Sequence, residues 1–75
     1  MIMQYRYGGF MLGQNIKKFR QKKKLTQDTL ARIANIPYTS ITKIETGVIK
    51  KPSVQAVAKI AKALGVSIDE LMEGA

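Results

Sequence analysis

The stretch Leu25–Pro52, LTQDTLARIANIPYTSITKIETGVIKKP, sets what this chain can become. It reads as two short helices separated only by Asn35-Ile36-Pro37, a tight turn. Thr26 suits the N-cap of the first helix, because its hydroxyl can accept from an amide that the first turn leaves unpaired. Asp28 adds negative charge where the helix dipole favours it. Thr29 stands where a full capping box would have Glu or Gln. Leu30, Ile33 and Ala34 are the apolar contacts expected of this helix, and Ala31 is small enough for a close crossing. Asn35 tolerates the left-handed conformation that ends a helix. Pro37 presets φ for a new helix and lacks an amide that would go unpaired there. The second helix is predicted from Tyr38 to about Thr46, with Ile41 and Ile44 turned inward. Tyr38, Thr39, Thr42 and Lys43 then point outward, and Gly47 supplies the left-handed stop.

The flanking segments follow the same helical period. Leu12, Ile16 and Phe19 fall at i, i+4 and i+7 and define one apolar face, with Gln14, Lys17, Lys18, Gln21 and Lys22 on the other. Val48–Lys51 is a loop ending in two lysines. Ser53 is the expected N-cap of a helix whose apolar stripe is Val54, Val57, Ile60, Ala61 and Leu64, closed by Gly65. Ser67-Ile68-Asp69-Glu70 is a complete capping box, so a short last helix follows with Ile68, Leu71 and Met72 as its apolar residues. The expectation is an all-α domain of five helices over residues 12–75. Residues 1–11 form an N-terminal extension of different character. Met3, Tyr5 and Tyr7 alternate with Gln4 and Arg6 at a strand-like period, and Gly8-Gly9 breaks it. That segment is either a passive extension or an edge strand that pairs with a second copy.

Seventy-five residues suffice for one domain. With no cysteine and no histidine, disulfides, thiolate metal sites and the commonest general base are excluded. The five acids are Asp28, Glu45, Asp69, Glu70 and Glu73, which leaves little from which to build an active site. No enzyme, no cofactor and no metal are expected. The net charge is +8, and residues 1–51 carry eleven Lys or Arg against two acids. Six of the eight residues from Lys17 to Lys24 are basic, with no acid among them to pair with. Such a field attracts polyanions, nucleic acid first and an anionic membrane surface second. No run reaches the roughly 18 apolar residues of a membrane span. The localisation expected is the cytoplasm.

Leu25-Thr26-Gln27, Leu30-Ala31, Ile41, Ile44-Glu45-x-Gly47, Pro52 and KIAKALGVSIDEL, in that order and at those spacings, resemble the lambda-repressor-like (Xre-type) helix-turn-helix domains over about Leu12–Met72. Three positions depart from the pattern: Asn35 for the turn glycine, Pro37 for a Ser/Thr cap and Thr29 for an acid. The resemblance implies a five-helix fold with the helix-turn-helix at helices 2 and 3, the second of which enters the DNA major groove. It places Tyr38, Thr39, Thr42 and Lys43 at base-reading positions, where each base pair shows a distinct donor and acceptor pattern. It places Gln27, Thr46, Lys50 and Lys51 on phosphates, which position the protein without reading sequence. It also pairs Glu45 with Arg20 as a structural ion pair.

The function implied is a small transcriptional regulator, expected to be a repressor, that binds double-stranded DNA as a homodimer on an inverted repeat. A different class fits the same residues: an antitoxin-type module that docks on a toxin or antirepressor partner and also binds its own promoter. A sequence-indifferent basic binder is a third reading.

Overall fold

The computed structural model describes residues 9–73, with side chains from Met11 onward. Five helices follow one another: α1 (Gly9–Lys22), α2 (Gln27–Ala34), α3 (Tyr38–Glu45), α4 (Val54–Leu64) and α5 (Ile68–Glu73). No strand occurs among the described residues. The strand-like reading of Met3–Tyr7 lies outside them. Helix α1 starts at Gly9, three residues before the expected Leu12. A glycine interrupts a helix from within, but at the first position it costs little, because amides there have no intrahelical partner anyway.

α1 packs against α3 and α5, and α2 packs against α3 and α4, so α3 sits between the two halves. Leu12, Ile16, Leu30, Ile41, Ile60, Leu64 and Leu71 are fully buried where these helices meet. Asn15 is buried among them, and its Nδ2 donates to the carbonyls of Leu71 at 2.8 Å and Met72 at 3.2 Å. One amide thereby satisfies two carbonyls in the last turn of α5, groups that a helix cannot pair internally. None of the described helices is long and apolar enough to cross a membrane.

Three of the helices end in the same way. After α1, α2 and α4 a residue adopts the left-handed conformation: Lys24 (φ 57°), Asn35 (φ 58°) and Gly65 (φ 74°). In each case the next amide reaches back to a carbonyl five residues earlier: Leu25 to Arg20, Ile36 to Ala31 and Val66 to Ala61, at 2.9–3.0 Å. Leu25, Ile36 and Val66 then pack against the core, as this terminator favours. The caps at the other ends are those expected. The Thr29 amide donates to Thr26 Oγ1 at 3.0 Å, and the Ala56 amide donates to Ser53 Oγ at 3.1 Å. Ser67 and Glu70 form the reciprocal box, with bonds of 2.8 and 3.0 Å.

Three apolar residues do not do what their position in the pattern implies. Ile33 is 56% exposed and Val54 is 78% exposed. The inward arc of α2 is taken by Leu30, Ala31 and Ala34, and Ile33 lies outside it. Val54 keeps the register of Val57, but it opens α4 and forms the wall of a shallow recess of about 370 Å³ shared with Leu12, Pro52, Val57, Ile68 and Met72. Ile68, at the first position of α5, is likewise 41% exposed.

α1 and α3 approach each other closely at Gly13. A methyl group at Gly13 would run into the carbonyl oxygens of Ile44 and Glu45. Helix propensity and packing therefore oppose each other at this position. Alanine inside a helix gains roughly 0.5–1 kcal/mol over glycine, whereas overpacking costs roughly 1–3 kcal/mol. Because the obstacle is backbone, packing prevails, and Gly13→Ala is expected to lower the urea midpoint of unfolding. A raised midpoint would mean that α1 and α3 separate at no cost. At Lys24 the sign reverses. Left-handed geometry costs a side-chain-bearing residue roughly 1–2 kcal/mol, and glycine's greater unfolded-state freedom offsets part of that. Lys24→Gly is expected to raise the same midpoint, and an unchanged or lowered midpoint would show that the lysine is not strained there.

Candidate nucleic-acid interface

The outward face of α3 is set by what its inward face must bury. Ile41, Ile44 and Glu45 are buried, so the helical period turns positions 38, 39, 42 and 43 away from the core. Tyr38 is half exposed, Thr39 and Lys43 are exposed, and Thr42 is partly covered. Tyr38 and Thr42, like Thr39 and Lys43, stand four residues apart and neighbour each other along the helix. The sequence-predicted group of four thus lies together on one face.

The hydroxyls on this face are not all free to donate. Thr42 Oγ1 donates to the Thr39 carbonyl at 2.8 Å, and Thr46 Oγ1 donates to the Thr42 carbonyl at 2.9 Å. Each threonine therefore presents outward an oxygen lone pair and a methyl group. Lys43 adds a charged donor, and Tyr38 a phenol at the helix start. The face combines acceptors, a donor, a cation and apolar groups within two helical turns.

The neighbouring elements carry exposed cations and one half-buried neutral amide. Lys50 and Lys51 are exposed on the loop between α3 and α4, which places them beyond the C-terminal end of α3. Gln27 opens α2 and is half-buried. Its Nε2 donates to Glu45 Oε1 at 3.0 Å. Lys17, Lys18, Lys22, Lys23 and Lys24 are exposed at the C-terminal half of α1 and its turn. Lys22 Nζ lies 5.6 Å from the Phe19 ring centroid.

Glu45 sits at the junction of this face with the core. Arg20 Nε donates to Glu45 Oε2 at 2.8 Å and Arg20 Nη2 to Glu45 Oε1 at 3.0 Å, a two-pronged pair. Arg20 Nη1 also donates to the Leu25 carbonyl at 2.8 Å. The two side chains are 11% and 3% exposed. In contrast, the Asp28–Arg32 pair is exposed at 3.5 Å and contributes little. Sequence reading missed the Gln27–Glu45 bond, which joins residues eighteen positions apart and leaves no periodic trace.

The helix-turn-helix family model matches residues 16–71, most of the chain. The chain belongs to the Xre-type helix-turn-helix family. Among members of known function, the HTH-type transcriptional regulator SinR of Bacillus subtilis is 32% identical over 63 residues, which cover 84% of this chain and 57% of SinR. The crystal structure of SinR in complex with DNA superposes with a TM-score of 0.78 at 32% identity, over 80% of this chain and 95% of that one. The restriction-modification controller protein C.AhdI of Aeromonas hydrophila superposes with a TM-score of 0.77 at 30% identity, over 81% and 91% of the two chains. This helix-turn-helix chain spans a little over half the length of the curated relatives it matches.

Within this family fold the burial of Glu45 makes a strong demand on stability. Removing its carboxylate leaves the Arg20 guanidinium largely enclosed without its partner, a cost of roughly 3–5 kcal/mol. Glu45→Ala is expected to unfold the domain or to lower its melting temperature steeply, as followed by circular dichroism. A variant that melts like the wild type would show that the pair is dispensable to the fold.

Proposed function

We propose that this protein is a sequence-specific DNA-binding transcriptional regulator, acting as a repressor and binding as a homodimer on an inverted repeat. The observation that carries the reading is the outward face of α3, where Tyr38, Thr39, Thr42 and Lys43 stand together with no role in the core. α3 enters the major groove N-terminal end first, as the second helix of such a motif does. Lys43 donates to guanine N7 and O6. The lone pair of Thr42 suits the amino groups of adenine or cytosine, and the threonine methyls suit that of thymine. Gln27, Lys50 and Lys51 hold the flanking phosphates, fixing register, and Thr46 joins them by turning its hydroxyl from the Thr42 carbonyl to a phosphate oxygen. The likeness to SinR in complex with DNA supports this arrangement. So does the net charge of +8.

The dimer follows from size. The eight residues of α3 extend about 12 Å, enough to face only a few base pairs. Two copies related by a two-fold axis read a longer site, with half-site centres about 10 bp apart. α5 with the Gly65-Val66 turn is the surface proposed for that contact. Its acids Asp69, Glu70 and Glu73 make it the least positive part of the described chain, where two basic copies repel each other least.

Selection of binding sites from a randomised duplex pool tests the reading. Salt is held near physiological strength, because a strongly basic protein binds any duplex when salt is low. Enrichment of an inverted repeat with half-sites about 10 bp apart is expected. A pool that emerges without any enriched site overturns sequence-specific binding and leaves only a basic, sequence-indifferent binder.

A further inference from the structure

We infer that Glu45 is a positioning residue for DNA binding as well as a structural one: its carboxylate holds the Gln27 amide so that an N–H faces a DNA phosphate. The inference rests on the DNA-binding reading above and concerns how one phosphate contact is built.

Three observations carry it. Glu45 is fixed before Gln27 meets it, because both of its oxygens accept from Arg20 and its side chain is almost fully buried. Gln27 Nε2 then donates to Oε1 at 3.0 Å. A carboxylate only accepts, so it selects one of the two ways a glutamine amide can lie: nitrogen toward Glu45, oxygen away. The amide nitrogen carries two hydrogens. One is committed to Glu45, and among the described residues the other has no partner. A phosphate oxygen also only accepts, so this second N–H is the atom of Gln27 that suits DNA.

Charge permits the arrangement. A free carboxylate behind the phosphate-binding end of α2 would repel DNA. Arg20 neutralises it at 2.8 Å, so Gln27 leans on an ion pair of zero net charge. The link also ties three elements together. Arg20 belongs to α1, Gln27 opens α2 and Glu45 closes α3. A phosphate held by Gln27 is thereby referenced to the end of the helix that reads the bases. That transmission needs a rigid connection, and two charge-assisted bonds to a buried carboxylate supply one.

A double-mutant cycle on the full chain tests this with the duplex selected above, by fluorescence anisotropy at fixed near-physiological salt. Gln27→Ala removes the amide, and Glu45→Gln keeps the shape but frees Gln27 to turn its oxygen toward the phosphate. Each is expected to weaken binding about tenfold, the scale of one charge-assisted hydrogen bond. The double variant is expected to be no weaker than the worse single one, because Glu45 acts through Gln27. Losses that multiply to about a hundredfold would mean that Glu45 affects DNA binding through the fold alone, and the inference is overturned. It is also overturned if Gln27→Ala binds like the wild type.

Should Glu45→Gln fail to fold, side-chain amide NMR of the wild type decides. Gln14, Gln21 and Gln55 are exposed and serve as references in the same spectrum. The Gln27 amide protons are expected to exchange more slowly than theirs and to shift on addition of the duplex. Gln27 protons that exchange like the references, or that stay unmoved by a duplex the protein binds, overturn the inference. A wild type that prefers no duplex sinks the DNA reading instead, and the free-protein exchange rates still report whether Glu45 holds Gln27.

Discussion

An acid buried in the most basic part of a basic chain needs a compensating charge, and Arg20 provides it for Glu45 through two bonds of 2.8 and 3.0 Å. Such a pair is poor evidence for stability, since desolvating both charges consumes most of the attraction. What it supplies is geometry. Arg20 also donates to the Leu25 carbonyl, while the Arg20 carbonyl accepts from the Leu25 amide at 3.0 Å. One residue thus fixes the α1–α2 turn from both sides and anchors the end of α3. The position of α3 relative to α1 depends on this contact, and so does the closeness that Gly13 makes possible about two turns earlier on α1.

Charge works against compactness elsewhere. Among the described residues no salt bridge joins the lysines of α1 and its turn to an acid, and Lys24 in addition occupies a left-handed position that glycine would fill more easily. Both features cost stability in the free protein. Self-repulsion of this kind falls when a polyanion binds, so the same lysines oppose the isolated fold and favour a complex. Anchoring and attraction are assigned to different residues: the buried Arg20 serves the fold, and the exposed lysines around it serve the field.

Much of the fold was legible because turns and caps are local. Asn35, Gly65, Thr26, Ser53 and the Ser67–Glu70 box each announce a helix end within a few residues, and all five are where the residues imply. Lys24 was not legible, because lysine does not favour positive φ and its place was hidden in a charge run. Gly13 and Asn15 were missed for a related reason. A glycine or an asparagine inside an apolar pattern reads as a weakness. Its purpose, a backbone contact with α3 or a cap for α5, lies more than thirty residues away. Ile33 and Val54 show the reverse error: apolar side chains are common on surfaces, so the pattern alone overstates their burial. At the interface, the outward group on α3 follows from its period, whereas the bond between Gln27 and Glu45 depends on how three helices meet.

The composition of α3 explains how it can be both firmly held and exposed along one face. Of its eight residues, Thr39, Ile41, Thr42 and Ile44 are β-branched, and such residues do not favour a helix on their own. The helix therefore depends on its anchors, Ile41, Ile44 and Glu45, which are buried against its neighbours. Two threonine hydroxyls outside the core turn back onto α3 carbonyls at 2.8 and 2.9 Å, which limits their freedom without tying them to the rest of the protein. The result is a division by period. Positions 41, 44 and 45 are buried and hold the helix, whereas positions 38, 39, 42 and 43 are not among its buried residues. Their chemistry can change while the anchors that place the face remain the same.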